Sequence, residues 1–131
     1  QHGFSFTGAE AGLSATLLEH DMLHVLCDYK PYGRDEILVN AMVLGASDTD
    51  THWTNMVMVM ALREAGFFLP EGYEPIAPGT LTRDDSLEQF ADALRRGAEC
   101  TGDLTNADLL ALASDPLEEV RARLGIQPRR V

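Results

Sequence analysis

The segment of this chain best equipped for chemistry is Glu19-His20-Asp21-Met22-Leu23-His24. Two imidazoles four residues apart on a helix lie about 40° apart on one face. Zinc sites use that arrangement for a pair of nitrogen ligands. With Leu13 set at zero, Leu17 falls at about 40°, His20 at about −20° and His24 at about 20°. Both rings therefore share the stripe that Leu13 and Leu17 define, which is expected to face the interior. Asp21, at about 80°, stands beside the pair. A buried carboxylate next to two buried histidines is costly unless something pairs with it, and a divalent cation would satisfy all three groups. A further carboxylate would complete a shell of two nitrogens and two oxygens. Glu36 is the candidate, because two helices joined by a short turn run antiparallel and would bring it back toward the His face. The competing reading makes His20 and His24 hydrogen-bonded core residues and Glu36 a dipole partner in a first helical turn. Spacing alone leaves both standing.

The other reactive side chains carry weaker expectations. Asp21 could serve as an outer orienter of a histidine or as a proton shuttle rather than as a ligand. Arg96 and Arg34 are candidates to hold a substrate carboxylate, against the plainer reading of surface cations. Cys27, three residues beyond His24, reads as a small core residue. His52 is assigned a structural place at a helix start, and Met56, Met58 and Met60 read as core or groove lining.

Helices must hold these residues, and the punctuation divides the chain into helix-length pieces. Residues 12–29 contain no Pro or Gly after the first and predict one long helix, with Ser14 or Thr16 available to cap a later start. Leu18, Met22, Leu23, Val25 and Leu26 fill most of its other directions, which predicts that it is central. Pro31 and Gly33 mark a turn. A second helix is expected over 35–44, stopping at Gly45, and a third over 52–65, ending at Gly66. Pro70, Gly72, Pro75, Pro78 and Gly79 make 67–83 an irregular segment. Leu87, Phe90, Ala91 and Leu94 then stand at i, i+3, i+4, i+7, with Asp85 or Ser86 as cap. Thr105 is expected to open a short helix with Leu109, Leu110 and Leu112 on its apolar face. Asp115-Pro116 opens the last, with Pro116 at the first helical position, Leu117, Val120 and Leu124 facing inward, and Gly125 ending it. Strand-like alternation is nearly absent, with Met56-Val57-Met58-Val59 the one tempting stretch. The expectation is all-α, a compact multi-helix bundle forming a single domain over 1–131.

Composition narrows the partners. The 131 residues carry 21 Asp+Glu against 10 Lys+Arg, a net charge of −11, with 45% hydrophobic residues. Lys30 is the single lysine, and Arg95–Arg96 and Arg129–Arg130 are the only adjacent basic pairs. Without a basic stripe to neutralise phosphates, nucleic acid is set aside as a partner. No apolar run reaches the roughly 18–20 residues of a membrane-spanning helix, and no signal peptide is visible. Cys27 and Cys100 form neither a CxxC pair nor a secreted framework, which predicts a reduced, cytoplasmic setting. The first residue is Gln1 rather than Met, which leaves a trimmed or processed start open.

His20-Asp21-Met22-Leu23-His24, then eleven residues, then Glu36, matches the HDxxH-x11-E motif of the family of the fourth coenzyme Q (ubiquinone) biosynthesis protein. Glu36-Ile37-Leu38-Val39 resembles the helix after that family's glutamate. Leu94-Arg95-Arg96-Gly97 resembles its "RG" helix, and Pro116 to Arg121 with Leu124-Gly125-Ile126 resembles its C-terminal end. The resemblance spans roughly residues 10–126 and is densest over 17–44. It implies an all-helical fold and a divalent metal, zinc by preference and iron, cobalt or manganese as alternatives, with His20, Asp21, His24 and Glu36 as ligands. It also implies an enzyme that removes the C1 carboxylate of a polyprenylated hydroxybenzoate head group with oxidation at that carbon. Isoprenoid binding, peripheral membrane contact, other biosynthetic proteins and homodimer formation follow as expected partners. Only 19 residues precede His20, fewer than family members carry; the expected substrate is therefore a smaller aromatic or polyketide-like acid. The alternative function is non-catalytic: a metal-stabilised helical module holding a lipid-like or aromatic ligand as a scaffold.

Overall fold

The structure, a computed structural model, describes residues 9–48, 50–65, 79 and 85–129; of 9–17, 50–52, 55, 56, 59 and 63 it describes the backbone alone. Among the described residues there are six helices and no strand: α1 (Ala9–Cys27), α2 (Asp35–Gly45), α3 (Asp50–Glu64), α4 (Ser86–Ala98), α5 (Leu109–Leu112) and α6 (Leu117–Leu124). The all-α expectation holds. The irregular segment expected over 67–83 lies outside the described residues except for Gly79, whose N–H donates to Glu64 O at 2.9 Å. The side chains of Leu13, Leu17, His52 and Met56 are also outside them.

The central helix is α2, not α1. Every residue from Ile37 to Leu44 is buried, and α2 packs against α1, α3 and α4, while α1 packs in turn on α5 and α6. On α1, Leu26 and Cys27 are buried and Met22 and Leu23 pack against the core, but Leu18 and Val25 are exposed. Apolar composition all round a helix is therefore an unreliable guide here: α1 and α2 each touch three helices, but only on α2 do those contacts bury an unbroken run of residues, Ile37 to Leu44.

The tightest pairing is α2 with α4, and it depends on small residues. A Cβ on Gly45 would stand 2.0 Å from Leu94 O, and one on Gly97 would stand 1.9 Å from Met42 O. Backbone meets backbone there. The expected apolar face of α4 is accordingly turned. Leu87 and Ala91 are exposed and Phe90 and Leu94 half-buried, while Ser86, Ala93, Arg96 and Gly97 face inward. Hydrophobic periodicity pointed to the larger side chains, but close approach needs Ala93 and Gly97 at the contact.

Other boundaries shift for local reasons. α1 ends two residues sooner than expected, because Asp28 adopts a left-handed conformation (φ 62) and Tyr29 N–H bonds back to His24 O at 3.0 Å. This is the helix-ending geometry usually given to Gly. α5 is a single turn capped by Asp108, whose side chain accepts from Ala111 N–H at 3.0 Å. Thr105 does not open it; Thr105 belongs to a turn closed by Asp103, which takes its N–H at 2.8 Å. Pro116 is the residue before α6 rather than its first, and of the three predicted inward residues Val120 and Leu124 are buried whereas Leu117 is exposed. Met60 joins a small cluster with Ile37 and Leu44, whereas Met58 is exposed.

Candidate metal centre

The two helices that carry the chemistry are pinned at their facing ends. At the end of α1, Arg121 from α6 donates from Nε to Leu26 O at 3.0 Å and from Nη2 to Val25 O at 2.9 Å. With Tyr29 N–H on His24 O, the carbonyls that a helix terminus leaves open are satisfied just beyond His24. At the start of α2, Asp35 accepts from Lys30 N–H at 2.9 Å and from Arg129 Nη1 at 3.1 Å, which closes the 28–34 turn on itself. Glu36 N–H reaches Gly33 O at 3.3 Å, with Gly33 at φ 66. The turn thus delivers Glu36 to the His face of α1, as the antiparallel argument requires.

His20, His24 and Glu36 come together. One donor atom from each lies within 4.8 Å of the others. Glu36 spans the two rings: Oε1 is 3.2 Å from His24 Nε2 and Oε2 is 3.8 Å from His20 Nε2. The rings meet edge to face, with centroids 4.7 Å apart. His24 is 2% exposed, and neither of its ring nitrogens has a hydrogen-bond partner among the described residues. A buried polar atom left in that state costs roughly 1–3 kcal/mol. Two imidazoles and a carboxylate are the borderline donors that divalent zinc, iron, cobalt or manganese accept. The set fits a metal ion on its donor chemistry and on the buried His24 ring, whose Nε2 faces Glu36 without making a hydrogen bond.

Asp21 is not brought into that group. Its side chain is 69% exposed, and Oδ1 stands 4.0 Å from His20 Nδ1, on the ring edge away from Glu36. Of the four expected ligands the structure gathers three and sets the fourth beside one of them. The angular step along α1 already put Asp21 off the His axis, and the tertiary structure points that direction at solvent.

The two arginines expected to hold a substrate carboxylate are committed elsewhere. Arg96 is 3% exposed; Nη1 donates to Tyr29 Oη at 2.7 Å, and Nη2 donates to Cys27 O at 3.2 Å and Gln127 O at 2.8 Å. It ties α4 to the end of α1 and to the C-terminal tail, with its guanidinium 5.2 Å from the Tyr29 ring centre. Arg34 Nη1 donates to Asp85 Oδ1 and Ser86 Oγ, each at 2.9 Å, and so belongs to the start of α4. Cys27 is fully buried, as a core residue should be. Burial pushes its thiol up to about 12 against the opposing charge of Arg96, which favours the protonated form.

Two further residues that sequence reasoning passed over stand nearby, one on the helix of Glu36 and one on the groove at His24. Asn40, one turn beyond Glu36 on the same helix, is 6% exposed, and its Nδ2 has no hydrogen-bond partner among the described residues. A buried amide at i+4 from a candidate ligand was the available signal. Arg121 gave none, because its partners are backbone carbonyls 95 and 96 residues away. It also enters a groove of about 520 Å³ whose lining includes Asp21 and His24. A larger cavity of about 670 Å³, bounded by Asp85, Glu88 and Asp92 among others, contains none of the three gathered ligands.

Among the described residues no helix is long and apolar enough to cross a membrane. The chain matches no protein-family model, no curated protein and no solved structure.

Proposed function

We propose that this protein is a divalent-metal-dependent enzyme of the decarboxylating lyase type, acting on a hydroxybenzoate-like or related aromatic acid. The observation that carries the reading is the convergence of His20, His24 and Glu36, with no hydrogen bond to the buried His24 ring among the described residues and Glu36 Oε1 standing 3.2 Å from its Nε2. The likeness of the HDxxH-x11-E spacing to the ubiquinone-biosynthesis family supports the same reading. Zinc is the proposed ion, held by His20, His24 and Glu36.

Bound there, a divalent ion would act as a Lewis acid toward substrate oxygens and favour the negative charge that develops as carbon dioxide departs. The chain's own residues have separate duties. Glu36 orients both rings by spanning them. Asp21, beside His20 and on the groove, is the carboxylate positioned to orient His20 and to relay a proton from solvent. In the reaction the bond from ring carbon to carboxylate breaks, its electron pair stays on the carbon, and a proton replaces the lost group. Partial exposure of His20, 31% of its side chain, favours an ion open to a ligand over a closed structural one. That exposure supports the enzyme reading over the scaffold alternative.

Metal analysis of the full chain after incubation with excess zinc and desalting tests the site. One equivalent is expected in wild type and none in a His20→Ala/His24→Ala variant; a wild type that retains none sinks the proposal. Incubation of the loaded chain with 2- and 4-hydroxybenzoic acids, followed by carbon dioxide release and product mass, tests the reaction. Zinc retention with no turnover of any acid would favour the scaffold.

A further inference from the structure

A ligand lying against His24 in the groove meets one arginine among its described lining residues, Arg121. This arginine is held unusually firmly for one near the surface. Its Nε and Nη2 are fixed by Leu26 O and Val25 O, the last carbonyls of the helix that bears both histidines. Its remaining bond, Nη1 to Glu118 Oε1 at 2.8 Å, joins neighbours on α6, and Glu118 is 82% exposed. A solvent-exposed pair of that kind contributes little and exchanges readily. A guanidinium carries five N–H donors in a rigid fork. Three are used here, which leaves two without a partner among the described residues. The fork is thus oriented in advance, with its weakly held corner available to an anion.

The rest of the groove limits what that anion can be. Val25 and Leu117, both exposed, offer apolar surface for a ring or short chain. Asp21 and Asp28 offer acceptors for a hydroxyl and repel a second negative charge. The volume suits a small molecule.

We infer that Arg121 is the carboxylate-binding residue of this site, and that the groove takes a monoanionic hydroxy acid. The carboxylate replaces Glu118 at Nη1, the hydroxyl donates to an aspartate, and the hydrocarbon body lies on Val25 and Leu117. Arg121 holds the position expected of Arg96 or Arg34. The inference rests on the proposed His–Glu site for the direction of the ligand, but the anion contact itself belongs to α6 and is separable from metal binding.

Salicylate is the probe, titrated into the ¹⁵N-labelled full chain with and without zinc while amide shifts are followed. Shifts at Val25, Asp28 and Leu117 are expected to saturate with salicylate and to stay small with neutral salicylamide. Arg121→Gln should raise the dissociation constant at least tenfold, and Arg121→Lys by less. Glu118→Gln, at an exposed position, should tighten binding at least twofold because it frees Nη1. Groove shifts absent from wild type in both conditions overturn the assignment, as does undiminished binding in Arg121→Gln or unchanged binding in Glu118→Gln. Zinc content, measured on the same samples, separates the two ideas: Arg121-dependent salicylate shifts in a chain that takes up no zinc uphold the anion site and defeat the metal reading.

Discussion

Gly45 and Gly97 are reciprocal partners across the α2–α4 crossing. A Cβ on Gly45 would meet Leu94 O at 2.0 Å and Ala98 N at 3.0 Å, and one on Gly97 would meet Met42 O at 1.9 Å and Ala46 N at 2.9 Å. Each glycine lets the other helix's backbone into the space its own side chain would fill. The contact sets the depth at which α2 lies, and α2 carries Glu36 to the histidines.

Gly45→Ala and Gly97→Ala should therefore each destabilise the protein by about 2–3 kcal/mol or more, the upper range for overpacking, because the clash is with backbone rather than a movable side chain. The double variant should lose less than the two losses added, since one displacement of the helices relieves both clashes. Urea denaturation checks this. Either single variant within about 0.5 kcal/mol of wild type would show that the crossing is looser.

Glu36 and Asp21 should separate in metal binding although the motif treats them alike. Glu36→Gln is expected to abolish stoichiometric zinc uptake. Asp21→Asn should keep one equivalent and lose at most about 10–100-fold in affinity, as outer partners of metal-bound histidines do. Competition with a chromogenic chelator measures both. Equal and complete loss in the two variants would put Asp21 on the metal.

Removal of the Arg96 side chain should be costly without touching the metal. Arg96→Leu strands Tyr29 Oη, Cys27 O and Gln127 O, at an expected total of about 3 kcal/mol for the partners left behind. Arg96→Lys should recover only part, because one ammonium cannot reproduce the fork. Thermal denaturation of the metal-free forms reads the loss, and near-wild-type stability of Arg96→Leu would contradict the tie.

Cys27 adds an alkaline dependence. Burial raises its thiol from an ordinary value of 9.0 to about 12. In a folded state with the raised value, the protonated thiol is favoured. Its stabilising contribution is fully present below pH 9.0 and is lost progressively as pH rises toward 12. The stability difference between wild type and Cys27→Ala should accordingly shrink over pH 9–11 in denaturation series. In the native protein at pH 8 a thiol reagent should modify the half-buried Cys100 ahead of Cys27. Prompt labelling of Cys27 would contradict its burial.

The helices were largely legible because their signals are local. Pro31, Gly33, Gly45 and Gly125 mark ends or turns wherever the rest of the chain goes, and the spacing of His20 and His24 puts them on one face by helical geometry alone. The capped ends were harder. Asp28 ends α1 in the left-handed conformation that sequence rules assign first to Gly, and nothing next to it announces this. The face of α4 is half legible: Phe90 and Leu94 do pack against the core, but hydrophobic weight also favours Leu87, while packing against α2 favours the absence of side chains at Ala93 and Gly97.

By itself the sequence determined an all-helical chain, the shared face of His20 and His24, and a turn short enough to return Glu36 to them, since each follows from steps of one to a few residues along a helix or a turn. Only the tertiary structure decided that Asp21 faces solvent and that α2 rather than α1 lies at the centre. It alone turned Arg96 inward to Tyr29 and laid Arg121 on the end of α1. Those outcomes depend on which helices pack against which. A helical period gives directions around one axis and says nothing of what stands in each direction.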